Sequence, residues 1–146
     1  MAILTDTAPL VAAADRDDRA HGLAARLFRE LPGPFVVVTP VLTEAEYFIR
    51  RRVGSAAARA LVADAVAGAL SYHALEGPDL ARAQAVLEAH RGLELGLADA
   101  SIVAVAERLG VATVFTFDHR DFRRVRPAHM EAFDLVPTEA DLAELR

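Results

Sequence analysis

The chain has no cysteine and no lysine. Without cysteine there is neither a disulfide nor a thiolate metal site, and nothing points to secretion. Without lysine, all sixteen basic residues are arginine. A GC-rich genome accounts for that bias as a whole. It does not account for two clusters, the consecutive Arg50, Arg51 and Arg52 and the group Arg120, Arg123, Arg124 and Arg126. Arginine grips phosphate bidentately, so both clusters are candidate phosphate contacts, with a solvated helix end as the alternative for the first. A long uncharged apolar run is also missing. The most apolar stretch, Val53 to Leu70, is interrupted by Arg59 and Asp64 and rich in alanine, which does not suit a membrane span. The amino terminus, MAILTDTAPLV, has no basic segment and reaches an aspartate at Asp6, unlike a signal peptide. A cytoplasmic protein without membrane association is therefore expected. There is no glycine-rich phosphate loop and no serine or cysteine triad, and no histidine stands at metal spacing from another.

The 146 residues, 53% hydrophobic and 25% charged, suffice for one globular domain over 1–146 with a buried core. The net charge of −5 argues against a general nucleic-acid coater. Ala2–Thr5 reads as a strand ending at Asp6, followed by a helix over Leu10–Ala14 and another over Ala20–Leu31. Phe35–Val38 is a β-branched and aromatic run of the buried parallel type. Thr39 as N-cap and Pro40 as first residue predict a helix to about Arg52. Ser55 is expected to cap a helix to about Leu70, with Ala58, Leu61, Val62, Ala65 and Val66 facing inward. Ser71–Leu75 is a short strand, and Asp79–His90 a helix burying Leu80, Ala83 and Leu87. A helix opened by Asp99 stops at Gly110. Val111–Phe115 is a strand, and His119–Met130 a basic loop or short helix. Phe133–Val136 is a last strand, and a terminal helix begins at Thr138. Strands alternating with helices predict an α/β fold, a three-layer sandwich with a mostly parallel central sheet flanked by helices.

In parallel α/β sheets the crevice beyond the strand carboxyl ends is the default site. Asp6 ends the first strand, and Asp118, with Thr116 before it, follows the fourth. Glu44 lies in the first turns of the helix after the second strand. Asp99 opens the helix before the fourth, sharing an apolar face with Ile102, Val103 and Ala106. Taken singly, each acid has an ordinary reading: N-cap, first-turn acid or turn residue. Taken together on one edge, four carboxylates repel, and a hard divalent cation with oxygen ligands resolves the repulsion. Asp15, Asp17, Asp18, Asp64, Asp79, Glu107 and Asp121 read as solvated surface, and His119 as a surface residue near the site.

Four motifs in order, ILTDTAPL, VLTEAEYFIRRR, LGLADASIVAVAERLG and VFTFDHRDF, resemble a PIN domain, and within that family the VapC-type toxins of bacterial toxin–antitoxin pairs. The resemblance spans essentially the whole chain. It implies a Mg²⁺- or Mn²⁺-dependent ribonuclease with Asp6, Glu44, Asp99 and Asp118 as its acidic quartet. Asp6 and Asp99 would be the most regular metal ligands. Glu44 would hold metal or orient water, and Thr116 would support Asp118 by its hydroxyl. It further implies a homodimer and a small cognate antitoxin whose tail lies in the active-site groove. The apolar helices over Leu10–Leu31 and Ser55–Leu70 are candidates for groove and dimer surface. On this reading Arg50, Arg51, Arg52, Arg120, Arg123 and Arg124 flank the metal centre as an RNA track. Three alternatives stand beside it: an RNA-processing PIN nuclease without an antitoxin, a non-catalytic PIN binding module, and an α/β phosphotransferase. The last is poorly supported, because Asp6-Thr7-Ala8 lacks the second aspartate such a site needs.

Overall fold

A computed structural model describes residues 1–146. In chain order the elements are β1 (Ile3–Thr5), α1 (Thr7–Ala14), α2 (His21–Glu30), β2 (Phe35–Val38), α3 (Thr39–Arg52), α4 (Ser55–Ala67), β3 (Ser71–His73), α5 (Gly77–Ala89), α6 (Leu97–Leu109), β4 (Thr113–Phe115), α7 (His119–Phe122), β5 (Asp134–Val136) and α8 (Glu139–Ala143). The strands lie in the order β3-β2-β1-β4-β5, and every pair is parallel. The sheet is thus wholly parallel, where the sequence suggested mostly so. β1 is central, and the direction of winding reverses between β1 and β4. The carboxyl end of that pair is therefore the topological switch point, where parallel sheets place ligands.

The pleat divides the core between two layers of helices. Ile3, Phe35 and Phe115 share one face of the sheet. They meet Leu27 and Phe28 of α2 there, with the Phe28 ring 4.8 Å from Phe35 and 5.0 Å from Phe115. Leu4, Val36 and Val114 share the other face, against Val41 and Ala45 of α3 and Ile102 and Val103 of α6. A strand buried on both faces must be apolar throughout, which is why the four residues of β2 do not alternate. Helix α6 buries every residue from Ala100 to Ala106. Gly110 ends it in the left-handed region at φ 67°, which a residue with a Cβ rarely adopts.

Several local expectations are corrected. Thr39 is the first helical residue rather than the cap, and α3 begins directly from Val38 without a side-chain cap. The Thr39 hydroxyl instead bonds Tyr72 Oη at 2.7 Å and accepts the Leu75 N–H. Ser55 likewise starts α4 rather than capping it. Val62 and Val66, expected inside, are 41% and 85% exposed, because α4 packs on α3 and β3 and has no layer over its outer side. Leu80 is also exposed. The two acids read as solvated on α5 and α6 are tied down. Asp79 is buried, receives Arg108 Nε at 2.9 Å and accepts the Glu76 N–H. Glu107 takes Arg82 at 2.6 Å and the Ala128 N–H. These pairs cross the α5–α6 seam, and solvation was the wrong reading because each acid has a cation on the facing element.

Candidate active site

The four acids arrive at the switch point from four separate segments. Asp6 leaves β1 and is 8% exposed. One carboxylate oxygen accepts the Thr7 N–H at 2.8 Å, capping α1, and the other accepts the Thr116 hydroxyl at 2.8 Å. The same Thr116 oxygen accepts the Asp118 N–H at 3.0 Å. A single buried hydroxyl after β4 therefore joins the Asp6 side chain to the backbone that carries Asp118. Asp118 in turn caps the short α7, its Oδ1 accepting the Asp121 N–H at 3.3 Å. Asp99 is the third residue of α6, not its cap, and reaches back so that Oδ2 accepts the Gly96 N–H at 3.0 Å. Glu44, one turn into α3, is exposed.

Two of the four, Asp99 and Asp6, hold their protons more tightly than a free carboxylate. Asp99 is pushed up to about 6, mainly by burial and further by the charges of Asp6, Asp118 and Glu44. Asp6 is also raised, by burial first and then by Glu44 and Asp118, while its bonds from Thr116 and Thr7 oppose the shift. Carboxylates gathered with little water between them hold protons more tightly.

Asp6, Glu44 and Asp99 line one open cleft of about 240 Å³ with Thr7, Phe48 and Arg52. No three carboxylates or imidazoles already stand in ligand geometry. That does not disqualify a hard cation such as Mg²⁺, which keeps most of its waters and needs only one or two direct carboxylates. The donor set suits it: all oxygen, with Asp99 Oδ1, Asp118 Oδ2 and both Glu44 oxygens free of hydrogen bonds from the protein. Thr7, on the cleft wall, is buried, and its Oγ1 has no hydrogen-bond partner.

The predicted arginines divide. Arg52 lines the acidic cleft, held at 3.8 Å from Asp18 with its guanidinium 5.4 Å from the Phe48 ring. Arg50 and Arg51 stand over the Tyr47 ring. Arg120, Arg123 and Arg124 are exposed on and after α7. Arg123 pairs with Glu139 in a different depression of the surface, so it is not brought to the cleft. Asp18 was read as solvated surface, yet it lines the cleft. No signal in the sequence distinguishes it from Asp15 and Asp17 in the same polar turn. His119 is not a surface residue either: it is 6% exposed, with Nδ1 3.1 Å from Glu139 and Nε2 unpartnered. The tight turn of α7 folds it under the chain.

A family model for the PIN domain matches residues 3–127. The chain belongs to the PIN-domain family. Ribonuclease VapC26 of Mycobacterium tuberculosis is 26% identical over 135 residues, which is 92% of this chain and all of that protein. The crystal structure of VapC20 of Mycobacterium tuberculosis, described as a sarcin–ricin loop cleaving toxin, superposes with a TM-score of 0.77 at 27% identity, over 82% of this chain and 92% of that chain. VapBC2 of Rickettsia felis, solved on a DNA fragment from its promoter, shares the fold at a TM-score of 0.64 and 17% identity, over 94% of this chain and all of that one. The PIN domain described here is of the VapC type.

Proposed function

We propose that this VapC-type PIN domain is an endoribonuclease, the toxin of a toxin–antitoxin pair, and that it hydrolyses RNA phosphodiester bonds at the Asp6–Glu44–Asp99–Asp118 edge with Mg²⁺ or Mn²⁺. The observation that carries the site is the convergence of these carboxylates from four distant segments, with Asp99 raised to about 6 by burial and by the other three. The relatives named for ribonuclease and RNA-loop cleavage support the activity.

Asp6 and Asp99, each oriented by a backbone N–H, are the proposed principal ligands. Thr116 keeps Asp6 and Asp118 in register. Glu44, free of internal bonds, would complete the site or orient a water. Arg52 at the cleft lip would hold a phosphate oxygen of the strand. When bound, the cation lowers the pKa of a coordinated water and offsets charge on the leaving oxygen.

The proposed partner is a small antitoxin. Its apolar surface would fit the groove of about 520 Å³ between α1, α2, α3 and α4, walled by Leu10, Phe28, Ile49, Ala57, Leu61 and Leu70. A homodimer is proposed as well. No helix is long and apolar enough to cross a membrane, and residence in the cytoplasm is part of this proposal.

The deciding experiment is cleavage of total RNA with Mg²⁺, Mn²⁺ or EDTA. Cutting is expected with metal, absent with EDTA, and lost in Asp99→Asn and Asp6→Asn while circular dichroism stays native. Undiminished cutting by both variants would refute the site. A neighbouring short gene whose product silences the activity would separate the toxin reading from an RNA-processing nuclease.

A further inference from the structure

The acidic cleft opens into a second, larger groove. The two share Glu44, Phe48 and Asp99, so they are one continuous surface. The groove continues past Thr39, Thr43 and Tyr47 of α3 to Leu75 and to Leu97 at the start of α6, with a volume of about 750 Å³. That lies within the range of roughly 300–1,000 Å³ usual for small-molecule sites, ample for a nucleotide. Its lining alternates apolar carbon with hydroxyls, and its most prominent feature is an aromatic ring presented to solvent: Tyr47 is 47% exposed. The ring is held edge-to-face by Phe48 at 5.5 Å. The Arg50 and Arg51 guanidinium carbons stand 5.6 and 5.9 Å from its centre. Arg50 is tied to Glu46 at 3.0 Å, whereas Arg51 has no carboxylate within 4.0 Å.

We propose that Tyr47 is a stacking platform for one unpaired nucleobase of the RNA, beside the cleaved phosphate, with Arg51 on the neighbouring phosphate. This rests on the ribonuclease reading and adds to it a base contact next to the cleaved phosphate. Glu44 and Tyr47 stand three residues apart on α3 and so share one face of it, which puts the ring within one nucleotide's reach of a phosphate over the acids. A base offers a π face to any aromatic ring, and such stacking tolerates every sequence. Arg51 lies over the ring and has no carboxylate partner, so a base that takes its place on the ring releases it to the flanking phosphate, whose charge it meets. A base paired and stacked inside a duplex cannot lie on the ring, whereas an unstacked base in a loop can.

The chain has two tyrosines and no tryptophan, so tyrosine emission reports on the platform directly. In a Tyr72→Phe background, with Asp6→Asn to prevent cutting, the protein is titrated in Mg²⁺ with oligoadenylate and with an abasic strand of equal length, quenching being read from tyrosine emission and affinity from the anisotropy of an end-labelled strand. Oligoadenylate is expected to quench Tyr47 emission, and the abasic strand is not. Tyr47→Ala should weaken oligoadenylate binding on the order of tenfold and leave the abasic strand unchanged, while Tyr47→Phe restores the parental preference. Equal affinity of parent and Tyr47→Ala for oligoadenylate, binding without quenching, or no binding of either strand would overturn the platform. Cleavage of total RNA by the parent is scored separately. Cutting without a Tyr47 effect leaves the nuclease and removes the platform; base-selective quenching without cutting does the reverse.

Discussion

Thr116 shows how much of the site hangs on one side chain. Its hydroxyl is buried, donates to Asp6 and accepts from Asp118. Thr116→Val keeps the shape and removes both bonds, leaving a backbone N–H without its partner. Cleavage should fall about 10- to 100-fold, as for groups that orient metal ligands, and stability by about 1–2 kcal/mol, measured by initial rates and by urea unfolding. Asp99 makes a prediction about pH. Its folded value of about 6 exceeds its ordinary 3.8. Between those values the metal-free native state therefore binds more protons than the unfolded chain, and stability declines as pH rises through that window. Thermal melts in EDTA should show the parent losing stability from about pH 4 to about pH 6, and Asp99→Asn should flatten that decline. Added Mg²⁺ should raise the parental melting temperature at neutral pH in proportion to the logarithm of its concentration and leave Asp99→Asn unmoved. At this scale the sequence was informative about residue types near strand ends. It was silent about Asp18, whose place on the cleft wall depends on how the α1–α2 turn folds back.

Between elements, the α5–α6 seam is pinned by Asp79–Arg108 and Glu107–Arg82. Asp79 is held below its usual value chiefly by its bonds from Arg108. A depressed carboxylate stabilises the fold above its unfolded value of 3.8 and loses that contribution as pH falls through the folded value. Arg108→Ala should cost on the order of 2 kcal/mol at neutral pH, because it leaves a buried carboxylate short of partners. The difference from the parent should shrink below about pH 4. Urea titrations at the two pH values test this. Neither pair was legible in the sequence, since Asp79 and Glu107 occupy polar positions of two helices whose contact only the fold establishes. The helices themselves were legible. Gly110, Pro40 and the spacing of Ile102, Val103 and Ala106 act locally, within a turn or two. Cap positions slipped by a residue at Thr39 and Ser55 because α3 begins directly from β2 and α4 directly from the Gly54 turn.

For the whole molecule the question is where sixteen arginines stand on a chain of net charge −5. Arg50, Arg51 and Arg52 flank the acidic cleft and its groove, whereas Arg123 is turned away to Glu139. RNA should therefore feel one arginine group more than the other. Arg51→Ala is expected to lower the slope of log affinity against log salt by about 0.7 for single-stranded RNA, and Arg123→Ala to leave it almost unchanged. Fluorescence anisotropy over a salt series measures both.

The sequence by itself determined the alternation of strands and helices, the parallel character of a sheet built from continuous apolar strands, and four carboxylates at strand ends or in the first turns of helices. Each of these is written in residues close together along the chain, in periodicity and in turn chemistry. Only the tertiary structure decided that β1 lies at the centre of the order β3-β2-β1-β4-β5, which brings Asp6 and Asp118 to one switch point. It also decided that Thr116 bridges them, that Asp18 joins the cleft and that Tyr47 faces an open groove. Those facts depend on contacts between residues far apart in sequence, as between Thr116 and Asp6, which only the packing of sheet against helices sets.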